Sequence, residues 1–180
     1  MSLITCSTTV ITTHDDAPRG RPAHERVAGA DATRGESMTT PQETKSVVRN
    51  YLDAFNRRDR ERLSELLAED VVEHGIHEEL HGPEEIVEFL DAHFETFPDY
   101  SGETEATVAE GDTVTVRYTV RGTHEGEYQD VEPTGNTAEW TGIAMYRVDD
   151  GAIAEVWLEE DRLGLLEQLE VVDPPAHLRI

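Results

Sequence analysis

A chain of 180 residues is long enough for one domain with a real core. Its 39 acidic against 15 basic side chains leave a formal net charge of −24, which opposes nucleic acid and anionic membrane, since both require a basic surface. The single cysteine, Cys6, excludes an internal disulfide, and no apolar run approaches the roughly 20 residues of a membrane span.

The basic residues are almost all arginine, Lys45 being the only lysine. Self-repulsion on this scale is screened at molar salt, where the Debye length is about 3 Å, so the acidity reads as halophilic adaptation. Residues 1–13 lack the basic start of a secretory signal, and a cytoplasmic location is expected. Residues 1–37 are poor in large apolar side chains and show no periodicity, which predicts a disordered extension. A folded domain is expected over 38–172, with a short tail over 173–180.

The domain opens with Thr40-Pro41-Gln42-Glu43, which has the form of a helix capping box with proline at the first helical position. Val47, Val48, Tyr51, Leu52 and Phe55 then recur at helical spacing. Asp59 can cap a short second helix carrying Leu63, Leu66 and Leu67, and residues 71–75 read as a short strand. Gly82-Pro83-Glu84-Glu85 starts a third helix with Ile86, Phe89 and Leu90 inward, together with His93 or Phe94.

From Phe97 the period changes to two. Val114, Val116, Tyr118 and Val120 alternate with polar residues, the pattern of a strand with one dry face. In 140–148, Trp140, Ala144, Tyr146 and Val148 share one face and Ile143 and Met145 the other. Asp149-Asp150-Gly151 is a hairpin turn leading to a strand over 152–158. Strands apolar on both faces need two covers, helices on one side and a second copy or terminal segment on the other. A last helix is expected over 163–169. The sum is α+β: a curved antiparallel sheet packed on N-terminal helices around an apolar pocket.

The nucleophile elbow and the phosphate-binding glycine loop are both missing from the sequence. His74, His77 and His81 resemble a ligand set, but the glycine at 75 breaks the helix that such spacing needs, so they read as loop histidines near a pocket mouth and no metal is expected. What remains is carboxylate chemistry. Trp157, Glu159 and Asp161 share a parity at the end of the last strand. A carboxylate there, beside an indole, is poised for a raised pKa and hence for general acid/base work. The competing reading makes Asp161 only the cap of the last helix.

The segments "YLDAFNRRDRERLSELLAEDVVEHG", "GPEEIVEFL", "FPDY", "VAEGDTVTVRYTVRGTHEGE", "PTG", "TGIAMYRVDDGAIAEVW" and "D..GLLEQL" occur in this order from about Glu43 to Leu169. The domain so described resembles the SnoaL-like polyketide cyclase (ester cyclase-like) family, within the nuclear transport factor two-like superfamily. The resemblance implies a cone-shaped pocket and a cofactor-free enzyme in which one aspartate, here Asp161, is both acid and base. The substrate implied is a small apolar carbonyl compound that is cyclised, isomerised or dehydrated. It places His74 in the pocket lining, and Tyr51, Phe55, Trp140, Trp157 and Glu159 are expected there with it. Arg147 stands near where some cyclases use a histidine, which leaves the reaction open. Two alternatives stand beside the enzyme: a non-catalytic ligand-binding or dimerisation module of the same fold, expected as a homodimer, and an epoxide-hydrolase-like site. The last would need Arg117, whose parity turns it away from the dry face.

Overall fold

The computed structural model describes residues 40–75, 79–128 and 131–173. The expected N-terminal extension, most of the expected tail, and His77 lie outside these residues.

Two helices begin the domain. In α1 (Pro41–Arg57), Thr40 Oγ1 accepts from the Glu43 backbone N–H at 3.3 Å, and the Glu43 carboxylate accepts from Thr40 N–H at 2.8 Å. The capping box expected from the sequence is therefore closed on both sides. Arg58 ends α1 in a left-handed conformation (φ 56°), and Asp59 accepts from the Arg62 N–H at 3.1 Å to start α2 (Arg60–Leu66). Val48, Tyr51, Ala54, Leu63 and Leu66 turn inward from these helices.

β1 (Leu67–His74) follows directly, and β2 (Leu80–His81) pairs with it before α3 (Gly82–Thr96). A meander completes the sheet: β3 (Ser101–Glu110), β4 (Thr113–Thr123), β5 (Thr137–Asp149) and β6 (Ala152–Glu160), with α4 (Arg162–Gln168) closing the domain. The strand order is β2-β1-β6-β5-β4-β3. One pairing departs from the expected antiparallel sheet: β1 and β6 run parallel. The sheet is mixed because β1 enters ahead of the meander and docks on its last strand rather than on its first. β2, too short to show a period, had no counterpart in the sequence reading.

The hairpin between β5 and β6 has positive φ at both central residues, Asp150 (47°) and Gly151 (83°), the condition for a type I′ turn. Close to it, Arg147 pairs with Glu155 but Val148 pairs with Ile153, so Ala154 is an extra residue in β6. This bulge shifts the alternation, and Ile153 and Val156 both face the core.

Register fixes which residues share a face. Toward the helices, one rung of paired positions runs Val114, Tyr146, Val156, Glu73, and another runs Thr104, Tyr118, Gly142, Glu160. On the opposite face a rung runs Val108, Thr115, Met145, Trp157, His74. The strand faces expected for Trp140, Ala144, Tyr146 and Val148 against Ile143 and Met145 are those observed.

Candidate active site

Between the helices and the inner face of the sheet lies a cavity of about 280 Å³. Its apolar wall comes from α1 (Tyr51, Leu52, Phe55), α3 (Phe89, Leu90) and β6 (Val156, Leu158). Both apolar periods meet here: the 3.6-residue stripes of the helices and the two-residue alternation of the strands.

Polar groups also line the cavity, among them Glu73, His93, Glu103, Glu127, Glu160 and Arg162. Glu160, the last residue of β6, accepts from the Tyr118 hydroxyl at 2.9 Å. Burial raises the pKa of the Glu160 carboxyl. The Tyr118 hydrogen bond, the nearby Trp140 indole N–H and the Arg162 charge oppose that rise, while Glu73 adds to it. Trp140 Nε1 is fully buried, lies toward this carboxylate and falls short of full hydrogen-bond geometry with it. Burial, with the Glu160 charge next, pushes the Tyr118 phenol far up, so it remains a donor throughout the accessible pH range.

Around this pair stand two further groups. His93 on α3 packs among Phe97, Tyr100 and Trp140, with ring centroids at 5.3, 4.9 and 6.4 Å. Burial lowers its pKa to about 4, with the Arg162 charge acting in the same direction, so its imidazole is neutral at pH 7. It has some accessible area, but that area faces the cavity. Arg162 on α4 donates to the Tyr128 hydroxyl at 2.7 Å and lies over the Tyr128 ring. Glu73, 5% exposed, lines the wall from β1, and its charge helps hold the phenols of Tyr51 and Tyr146 protonated.

The residues expected in the pocket separate into three groups. Tyr51 and Phe55 line it, and Trp140 backs it from the buried side. His74, Trp157 and Glu159 lie on the outer face: the His74 ring stacks on Trp157 at 5.6 Å, with Nδ1 2.8 Å from Glu79 and Nε2 3.0 Å from Glu155. His74 is thus a strand residue with carboxylate partners rather than a loop histidine at a pocket mouth, and His81 precedes α3 as its N-cap residue. Asp161 is exposed, and its Oδ1 accepts from Gly164 N–H at 2.9 Å at the start of α4. The carboxylate expected in the dry interior therefore stands outside it, one residue beyond the one that does face inward.

With Trp157 taken as the inward marker of β6, Asp161 falls on the cavity side. The even positions carry the stronger signal, because Val156 and Leu158 are both apolar and put Glu160 on the same side. Tyr118 already stood on the expected dry face of β4. Glu73 and the proximity of Arg162 had no local signal, since each enters by long-range pairing or by the docking of α4.

This arrangement of helices on a curved, unclosed six-stranded sheet around a cavity defines the NTF2-like class of α+β folds. An NTF2-like protein from Burkholderia xenovorans shares it, at 19% identity and a TM-score of 0.60 over 73% of this chain and 98% of that one. The sequence signature of the SnoaL-like polyketide cyclases matches residues 45–169, and the chain belongs to that family. IdmH, a candidate polyketide cyclase from Streptomyces antibioticus, is similar at 34% identity and a TM-score of 0.62, covering 71% of this chain and 99% of its own. AclR, a candidate hydroxylase from Streptomyces galilaeus, is similar at 28% identity and a TM-score of 0.67, covering 74% and 100%. Among curated proteins no significant match is found.

Proposed function

We propose that the domain over 38–172 is a small-molecule enzyme that moves protons on an apolar carbonyl compound without a cofactor, in a cyclisation, isomerisation or dehydration. The observation that carries this reading is Glu160, a carboxyl inside an apolar cavity whose pKa burial raises and whose one oxygen is held by Tyr118. A group of this kind takes a proton from carbon beside a carbonyl and returns it to oxygen or carbon, because desolvation makes the carboxylate a stronger base than an exposed one. Arg162, paired with the Tyr128 hydroxyl, is the cation in the wall toward which the developing enolate oxygen would turn. The family membership supports the same class of chemistry, and the structurally similar IdmH bears the name of a candidate polyketide cyclase. At about 280 Å³ the cavity is at the small end of ligand sites, which run from roughly 300 to 1,000 Å³, and it suits a compact ligand.

The test is Glu160→Gln, which keeps the shape and removes the base. A ligand is first found by thermal shift in molar salt, since binding to the folded state raises its stability. Turnover should fall by about 10²- to 10⁴-fold while binding persists. Turnover equal to wild type would overturn the assignment.

A second reading, in which the domain binds or dimerises without chemistry, draws on the outer face. Val108 is 68% and Ile143 49% exposed, and Met145 and Trp157 lie on the same side of the sheet. An apolar stripe on so acidic a surface favours a homodimer. Sedimentation in molar salt should give a dimer that Ile143→Glu disperses; a wild-type monomer rules the dimer out.

A further inference from the structure

Tyr118, Gly142 and Glu160 occupy directly paired positions on β4, β5 and β6. Side chains at such positions project from the same face, so a side chain at 142 would stand between the other two. The phenol instead lies across β5, above the Gly142 backbone, and reaches Glu160 Oε1 at 2.9 Å. A Cβ placed on Gly142 would fall 2.5 Å from Tyr118 Cζ and 2.8 Å from Cε2, distances no packed methyl tolerates. Gly142 has no positive φ, so its backbone conformation does not demand glycine; the ring does.

We infer that Gly142 is a positioning residue: its missing side chain opens the path by which Tyr118 holds Glu160 by Oε1, leaving Oε2 as the oxygen that exchanges a proton with the ligand. The inference rests on the acid/base reading of Glu160 and adds which oxygen acts and what fixes it. With Glu160 ionised, the Tyr118 O–H donates to Oε1, and Oε2 is the oxygen that this donor leaves for the ligand. After a proton arrives on Oε2, Oε1 becomes the carbonyl oxygen and accepts the same phenol hydrogen, so the transfer proceeds without reorganising the clamp. The other titratable or charged groups that act on Glu160 are Tyr100, Tyr128 and Tyr146, with Glu73 and Arg162, and His93, Glu103 and Glu127 line the same cavity. None of them lies between Tyr118 and Glu160 in the paired rung.

The experiment is a carboxyl ¹³C NMR titration of the full-length protein in molar salt, with Glu160 assigned by the signal that Glu160→Gln removes. Tyr118→Phe should shift the Glu160 midpoint upward, because a hydrogen bond to the anion is lost. Gly142→Ala should shift it upward too, by displacing the ring, and should add little in the Tyr118→Phe background. A Gly142→Ala midpoint at the wild-type value, or an equal upward shift with and without the Tyr118 hydroxyl, overturns the inference. Thermal unfolding of Gly142→Ala in a Tyr118→Ala background keeps the test decisive where the single variant does not fold. Removing the ring should restore the melting temperature to that of Tyr118→Ala alone, and a methyl that destabilises equally without the ring again overturns it. Neither measurement involves turnover, so a failure here stays distinct from a failure of Glu160→Gln to impair catalysis.

Discussion

Glu160 and Asp161 are consecutive, yet one carboxylate meets the Tyr118 hydroxyl inside the cavity while the next accepts the Gly164 N–H outside it. The division occurs where β6 ends. Asp161 N–H still bonds to Thr141 O at 2.9 Å, continuing the strand ladder, and from that residue the chain turns into α4. The two side chains therefore fall on opposite sides of the sheet, and a substitution at Asp161 should separate their roles. Asp161→Ala removes an N-cap and should lower stability by about 1 kcal/mol, with ligand affinity unchanged. Urea unfolding in molar salt measures the first, and titration with a screened ligand the second. A loss of affinity without a loss of stability would return Asp161 to the site.

Glu160 and His93 should give the folded protein opposite pH dependences. Burial raises the Glu160 pKa, so its contribution to stability is full below the ordinary carboxyl value of 4.5 and is lost as pH rises through the raised value. Burial lowers the His93 pKa from 6.5 to about 4, so its contribution is full above 6.5 and is lost as pH falls through about 4. That span corresponds to at most roughly 3 kcal/mol, less to the extent that the cavity admits water. Relative to wild type, Glu160→Gln should gain stability as pH rises above 4.5, and His93→Phe should gain as pH falls below 6.5. Denaturant midpoints at pH 7, 5.5 and 4 check both; parallel curves for wild type and either variant would show that the group concerned is not buried as described.

On the outer face His74 lies between two carboxylates, and its pKa is raised chiefly by its hydrogen bond to Glu155, against partial burial, with Glu79 adding to the rise. Imidazole NMR should find His74 titrating above 6.5 and His93 near 4. Glu155→Gln should bring His74 down further than Glu79→Gln does. It also leaves the Arg147 guanidinium, now 3.0 Å from Glu155 Oε2, without an opposite charge at that position. The reverse order would mean that the Glu79 contact dominates in solution.

The net charge of −24 should make folding depend on salt well beyond ordinary ionic strength. On α3 the acidic residues Glu84, Glu88, Asp91 and Glu95 recur at spacings of four and three, and like charges so placed repel. A Debye length of about 10 Å at 0.1 M leaves such neighbours coupled, whereas about 3 Å at 1 M does not. The melting temperature should climb between 0.1 and 1 M KCl; a flat response would remove the case for halophilic adaptation.

Much of this was legible in the chain itself. Thr40 and Glu43 close their capping box, Asp59 caps α2, the turn at Asp150-Gly151 adopts its positive φ values, and β4 and β5 bury the faces their alternation predicts, because each depends on neighbours within a few residues. The acidic composition, the α+β class and the apolar stripe of Tyr51 and Phe55 were fixed at the same level. For the carboxylate that entered the cavity, local pattern was divided: Ile153 and Trp157 favoured the odd positions of β6, Val156 and Leu158 the even ones. The extra residue at Ala154 reset the parity of β6, and parallel pairing with β1 brought Glu73 to the same wall. Strand alternation tells which side chains travel together, but which side is dry is set only when another element packs against it. That choice put His74 and Trp157 outside, Glu160 and Tyr118 inside, and made Gly142 the gap between the last two.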